Sequence, residues 1–598
     1  MFLVSVLAAE VDKVETKSNI LYSVIEPVTC GICKATLGGM AYALLSENSI
    51  RFFENLIYYG CTLLFSKDQC TKVSAAYVGL LMRRFRVKTF EPNYFCQVQV
   101  PACDNKRNKY TVLEKQDYEK RILADKPDFI KDNNFINNLY KEINEDIEAG
   151  NDRETILMYH FSDLHWNINY TEGSNNNCGE IVCCTPNSKP PTKESEKAGK
   201  WGDYNCDANP KVVGQLKYSF NQTGKPDFIV WTGDNPDHGI YKDPKISTEA
   251  TVIITDMINA HSKNTTIFPI HGNHEFDPMN IQDFSLEVDP VIQIVANAWK
   301  HWMTEEANAE YLKQSFYSMM AYDHPSTTDE FKRKMGKTRI IGYNSNDCYV
   351  FNFMLAGEFN DPGQQFEWLE NLLSQMEKDG EVGIFIGHMS PGTSDCISEV
   401  SSRLRVLFDR YQHILRLNLF GHTHNEEFEV IRSVEDRKPI GVNHLASSMT
   451  TFTNTNPSFR VITLDAETKL PLKIETHMLD IVEANKDDAN AIFSHHHELT
   501  EDFNMEDLSP ASFLKVTEGF MNDEESARKY IQNFYSSAPG YNPPPSCNAK
   551  CRRQRSCQTS NSVYSDTRKC MKWVDYTDVW LIASHLFDFM NGRWVTQN

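Results

Sequence analysis

The sequence predicts an α/β protein, and three observations carry that prediction. Short runs rich in branched and aromatic residues recur from about residue 155, each ending in Gly, Asp, Asn or His: Ile156–Phe161, Phe228–Trp231, Ile267–Ile270, Gly383–Ile386 and Leu415–Phe420. Runs this short suit buried strands better than helices. Longer amphipathic segments separate them, among them Glu249–His261 and Gln364–Met376, which is the texture of a layered α/β domain. Cysteine-rich, helical stretches flank this region on both sides.

In chain order, residues 1–10 (MFLVSVLAAE) resemble the tail of a truncated signal peptide. Residues 24–107 carry six cysteines and proline-free apolar segments around Leu56–Tyr59 and Ala75–Leu81. Residues 108–150 are strongly charged, with Tyr118, Ile122, Phe129, Ile130, Ile136, Leu139 and Ile143 at helical intervals, and read as a helical linker. The α/β segment covers 151–465. Residues 466–598 read as charged helical stretches, a Pro543-Pro544-Pro545 break, a cysteine cluster and a last helix around Tyr576–Met590. The histidines at 495–497 read as a solvated run on one of those helices.

With 598 residues the chain exceeds one core, and about three to four domains is the expectation. A net charge of −21 argues against a nucleic-acid partner, whose phosphates need Lys and Arg. Sixteen cysteines fall in tight groups. Structural zinc is the rival reading for Cys30-x-x-Cys33, but a second pair of similar spacing is missing, so disulfides and an oxidising compartment are favoured. The sequons at Asn169, Asn221 and Asn264 point the same way.

The chemistry sits where the apolar runs end. Asp163-Leu164-His165 places two ligand types two residues apart, a spacing that shares one side of an extended chain. Gly233-Asp234, Gly272-Asn273-His274-Glu275, Gly387-His388 and Gly421-His422-Thr423-His424 follow in order. A lone Gly-His is ordinarily structural; five such motifs, each after a strand-like run, predict a metal site.

This order of motifs resembles the calcineurin-like metallophosphoesterases. The resemblance implies an αββα two-sheet sandwich with a dinuclear site at strand ends. Asp163, His165, Asp234 and His424 would hold one ion; Asp234 would bridge to a second, also bound by Asn273, His388 and His422. His274 and His238 would stand near the leaving group as proton donor or phosphate contact. Ligands of this kind suit two Zn(2+) per chain.

The cysteine layout is similar to the acid sphingomyelinase family, with Ala198–Gly202, Gly387–Gly392 and Asn456–Arg460 as further landmarks. That likeness makes 24–107 a saposin B-type domain, 151–465 the catalytic domain and 466–598 a disulfide-rich C-terminal domain. It implies the pairs Cys30–Cys103, Cys33–Cys96, Cys61–Cys70, Cys178–Cys183, Cys184–Cys206, Cys348–Cys396, Cys547–Cys551 and Cys557–Cys570. The family's linker is proline-rich, whereas this one is charged.

The function implied is hydrolysis of sphingomyelin to ceramide and phosphocholine by a metal-activated water, in a secreted or lysosomal monomer. The saposin-like module would reach the lipid, and the run Arg83-Arg84-Phe85-Arg86 with Lys88 would meet an anionic surface or simply be a solvated helix end. Rival readings are a phosphodiesterase for soluble nucleotide-type substrates and a catalytically silent lipid-binding protein. A purple acid phosphatase is disfavoured, because Asp237 stands where that family needs tyrosine.

Overall fold

The computed structural model describes residues 30–36, 38, 46–63, 65–84, 96, 115–215, 223–241, 243–261, 265–355 and 361–571. Its strands are β1 (Thr155–Phe161), β2 (Phe228–Trp231), β3 (Thr266–Pro269), β4 (Tyr317–Met320), β5 (Thr338–Gly342), β6 (Val382–Met389), β7 (Leu415–Gly421), β8 (Glu427–Arg432), β9 (Pro439–Leu445), β10 (Ser458–Asp465), β11 (Pro471–Met478) and β12 (Ser494–Glu498). They form two six-stranded sheets, ordered β12-β11-β10-β1-β2-β3 and β4-β5-β6-β7-β9-β8. Both are mixed: β1 runs parallel to β2 but antiparallel to β10, and β6 runs parallel to β7 while β8 opposes β9.

Strand alternation sorts the core. On β6, Ile384 and Ile386 join the cluster shared with the first sheet, which includes Met158 and Val230. Phe385 between them faces the other way, into a cluster with Leu369, Leu373, Leu404 and Leu407. Those leucines belong to two covering helices, Gln365–Asp379 and Ser398–Arg410. The α/β class and the two-sheet sandwich are therefore present.

Further helices among the described residues include α1 (Glu47–Cys61), α2 (Lys67–Val73), α3 (Gly79–Arg84), α4 (Lys115–Leu123), α5 (Phe135–Glu148), α6 (Glu249–His261) and α7 (Pro510–Gly519). From residue 115 onward the charged linker is helical and packs on the sandwich. On α5, Ile136, Tyr140 and Ile143 recur at helical spacing and are buried in the main core, and the Tyr140 hydroxyl donates to the Pro471 carbonyl at 2.9 Å. Tyr118 on α4 is buried edge-on against Phe366.

Two further expectations are corrected. The proposed boundary at 465/466 cuts through a sheet, since β11 and β12 complete the one that contains β1, and α7 packs on β8 and β9. The triple histidine lies on β12 rather than a helix, and His497 is buried, with Nε2 at 2.9 Å from Glu426 Oε1. Glu426 is also met by Arg460 and by the Thr476 hydroxyl. His495 is exposed, as expected of a solvated residue, and only His497 of the three is buried.

Seven of the disulfides lie wholly in the described region: Cys33–Cys96, Cys61–Cys70, Cys178–Cys183, Cys184–Cys206, Cys348–Cys396, Cys547–Cys551 and Cys557–Cys570. Cys30 is disulfide-bonded, while Cys103 falls outside the described residues. So do residues 1–10, Asn221, Asn264, the basic side chains from Arg83 to Lys88 and the segment around Tyr576–Met590. Asn169 is exposed. Among the described residues no helix is long and apolar enough to cross a membrane.

The helices α1–α3 sit against the sandwich: Ser66 N–H donates to the Gly179 carbonyl, and Tyr77 donates to the Met279 carbonyl at 3.3 Å while meeting Phe353 edge-on. Leu56, Tyr59 and Leu63 remain exposed around α1.

Candidate metal centre

The five motifs converge where β1, β2, β3, β6 and β7 end. Tight backbone approaches make this possible. Gly233 has φ +87°, and a Cβ there would lie 2.2 Å from Gly272 N; a Cβ on Gly272 would lie 2.1 Å from Asp234 Oδ1. Only glycine fits either position.

Spacing two along an extended chain is not what brings these side chains together. Asp163 and His165 lie beyond the end of β1, and His422 and His424 beyond the end of β7. None is extended: their φ values are 52°, 37°, 76° and 61°, and Asp234 has 57°. Left-handed turns, not strand alternation, aim these side chains.

Asp163, His165, Asp234, Asn273, His388 and His424 are buried, and His422 is nearly so. Asp234 Oδ2 lies 3.0 Å from His388 Nε2 and 3.6 Å from His165 Nε2. Asp163 Oδ1 lies 3.6 Å from His424 Nε2 and 3.9 Å from both His165 Nε2 and His388 Nε2. His422 Nδ1 stands 3.3 Å from His388 Nε2. Within the sets His165–His238–His424, His165–Asp234–His274 and Asp234–His388–His422, candidate ligand atoms all lie within 4.8 Å of one another.

The donor chemistry fits a cation. His165 Nδ1 donates to the Pro236 carbonyl at 2.9 Å, and His424 Nδ1 faces the Phe452 carbonyl at 3.4 Å. Their Nε2 lone pairs then meet at 2.9 Å, which repels unless a positive charge stands between them. Asn273 donates through Nδ2 to Asn280, leaving its Oδ1 buried and unpartnered. Burial, with His238, His274 and His424 nearby, holds His165 well below the usual imidazole range. Burial also lowers His388, but Asp234 and Asp163 overcome it and push it up to about 9. Burial raises Asp163, and Asp234 stays low against its own burial because His388 and His274 stand beside it.

His238 and His274 line one side. His238 stacks on His165 at 4.2 Å between ring centroids, and its Nδ1 lies 2.6 Å from Asp207 Oδ1. Burial lowers His238, yet Asp207 more than offsets it and the net shift is upward. Burial takes His274 down to about 4, although Asp234 opposes it. The His274 backbone N–H donates to Asp234 Oδ1 at 2.8 Å.

Three carboxylates support the ligands: Glu275, the last residue of its motif, and Asp207 and Asp395, which no motif contains. Glu275 accepts from the backbone N–H groups of Asp234, Asn235 and Gly272 and so clamps two ligand loops together. Asp207 holds His238, and Asp395 holds His422 Nε2 at 2.9 Å. The signal for the last two was adjacency: each neighbours a disulfide cysteine, Cys206 or Cys396.

Residues 156–426 match the calcineurin-like phosphoesterase family, and residues 440–577 match the acid sphingomyelin phosphodiesterase C-terminal region. Sphingomyelin phosphodiesterase B of Dictyostelium discoideum is 28% identical over 70% of this chain and 65% of its own length. The sphingomyelin phosphodiesterase of Bos taurus is 28% identical over 66% of this chain and 62% of its own. The cyclic GMP-AMP phosphodiesterase of Homo sapiens is 26% identical over 69% of this chain and 90% of its own. The chain thus spans a little under two thirds of the length of the first two. The chain thus carries a calcineurin-like metallophosphoesterase domain that runs into an acid sphingomyelin phosphodiesterase C-terminal region.

Proposed function

We propose that the chain is a two-zinc phosphodiesterase that hydrolyses sphingomyelin to ceramide and phosphocholine. The observation that carries it is the pair of Nε2 lone pairs facing one another inside a ring of carboxylates and an unpartnered Asn273 oxygen. Asp163, His165, Asp234 and His424 would hold one ion; Asp234, Asn273, His388 and His422 the other. Imidazole, carboxylate and amide donors suit zinc. Two such ions supply Lewis-acid polarisation of the phosphoryl oxygens and a water acidic enough to attack.

The protein's own part is positioning and proton transfer. Asp207 fixes His238 through Nδ1 and favours its charged form, leaving Nε2 to carry a proton to the leaving oxygen. His274, kept neutral by burial and tied through its backbone to Asp234, is placed to contact the phosphate.

The exposed Leu56, Tyr59 and Leu63 support a lipid partner, met through a saposin-like module formed by the N-terminal helices. The disulfides support a secreted or lysosomal setting. A second reading, a soluble nucleotide-type phosphodiester, draws on the similarity to the human cyclic GMP-AMP phosphodiesterase, most of whose length is matched.

One assay series separates the two: sphingomyelin vesicles against a soluble phosphodiester at pH 5 and pH 7, with Asp234→Ala as control and a Leu56→Glu/Leu63→Glu variant. Withdrawing two leucines from lipid removes on the order of 3 kcal/mol, so vesicle turnover should fall roughly a hundredfold with soluble turnover unchanged. Cleavage of the soluble substrate alone overturns the lipid reading. Full activity in Asp234→Ala overturns the metal reading.

A further inference from the structure

The ring histidines are not all oriented alike. His165, His388 and His424 each turn Nδ1 toward a backbone carbonyl, of Pro236, Thr232 and Phe452 respectively, and present Nε2 to the centre. His422 is reversed. Its Nδ1 faces the centre, 3.3 Å from His388 Nε2, and its Nε2 meets a carboxylate, Asp395 Oδ2, at 2.9 Å.

Asp395 is itself well held. Its carbonyl accepts from Val350 N–H at 2.9 Å, its neighbour Cys396 is bonded to Cys348, and Ile397 N–H donates to the Cys348 carbonyl at 2.8 Å. Tyr349, bridged to Cys396, sets its ring edge-on to His422 at 5.4 Å. A disulfide-bounded loop therefore delivers one carboxylate to one histidine. Both side chains are largely shielded from solvent, at 15% and 10% exposure, so the charge on Asp395 is poorly screened.

We propose that Asp395 is a positioning residue that fixes the tautomer of His422 and sets the affinity of the metal position shared by Asp234, Asn273, His388 and His422. A carbonyl acceptor is neutral, but a carboxylate carries a full charge. Its bond to Nε2–H is charge-assisted and makes the opposite nitrogen a better donor. The other metal position has carbonyl-oriented histidines only and gains nothing from Asp395. The inference rests on the two-metal reading above.

The test uses the full chain, stripped of metal and titrated with Zn(2+) against a chromophoric chelator, with a parallel Co(2+) titration read by its visible spectrum. Wild type should bind two ions per chain. D395N keeps the shape and loses the charge; it should weaken one of the two constants about 10–100-fold and leave the other unchanged. D395A should weaken the same constant further, and D395E should restore part of it. Excess zinc should return turnover in D395N, which damage to the fold would not allow. Unchanged constants in D395A, or equal weakening of both, overturn the proposal. Fewer than two ions bound by wild type overturns the two-metal reading instead.

Discussion

Asp163, His165, Asp234, His422 and His424 all hold left-handed backbone angles, a conformation that costs of order 1–3 kcal/mol at each non-glycine position. The centre also packs two carboxylates into a buried space, and burial raises Asp163 accordingly. Such a site is a local liability without its cation. Metal-free Asp163→Asn should therefore melt above metal-free wild type, while the order reverses with zinc present, because wild type gains about 2.7 kcal/mol from each ion at a hundred times its Kd. Calorimetry with and without chelator checks both halves. On the opposite side, His238→Gln should lower kcat by about 10²–10⁴, the range for a lost proton donor, without changing metal content. A loss of bound zinc in that variant would make His238 a ligand instead. Glu275 accepts from backbone on both ligand loops. Glu275→Ala strands three buried N–H groups, at about 1–3 kcal/mol each, and should lower the melting temperature sharply.

Elements differ in how far the sequence discloses them. The strands that carry ligands were legible because each is a short, mostly apolar run closed by a turn residue; β2 and β3 are buried at every position. The helix α6 matched its expected bounds. β12 was not legible, because an edge strand reading Ser-His-His-His-Glu carries no apolar signal. Its burial is decided by Glu426, a partner 71 residues away. The same holds for Asp207 and Asp395, which reach the site through disulfide loops rather than strand ends. The linker's helical periodicity was legible, but the core it packs on was not, because that depends on distant partners such as the Pro471 carbonyl met by Tyr140. Its docking can be tested through Ile143, buried on α5. Ile143→Ala should destabilise the catalytic unit by about 2–5 kcal/mol in denaturant unfolding; a neutral result would mean that α5 is a detachable connector.

At the scale of the molecule, buried carboxyl groups tie separate elements together and give stability a pH dependence. Glu429 on β8 is buried and joins the loop after His388 to β9: Oε2 accepts from the Ser390 hydroxyl at 2.6 Å, Gly392 N–H at 3.1 Å and Asn443 Nδ2 at 3.1 Å. Burial pushes its carboxyl up to about 8 from an ordinary 4.5, even though those hydrogen bonds pull downward. The folded state therefore binds this proton more tightly than the unfolded chain does. The stability it confers is fully present below pH 4.5 and is lost as pH rises through 8. Glu426 has the opposite sign. It is buried too, but His497 and Arg460 hold it far below the usual carboxylate range, so its contribution is lost only as pH falls below 4.5. Between pH 5 and pH 9 the difference between wild type and Glu429→Gln isolates the first group. Wild type should lose stability across that window, and Glu429→Gln, which keeps the acceptor and cannot ionise, should lose less, so that the variant is the more stable protein at pH 9. Parallel curves for the two would place Glu429 among ordinary ionised carboxylates.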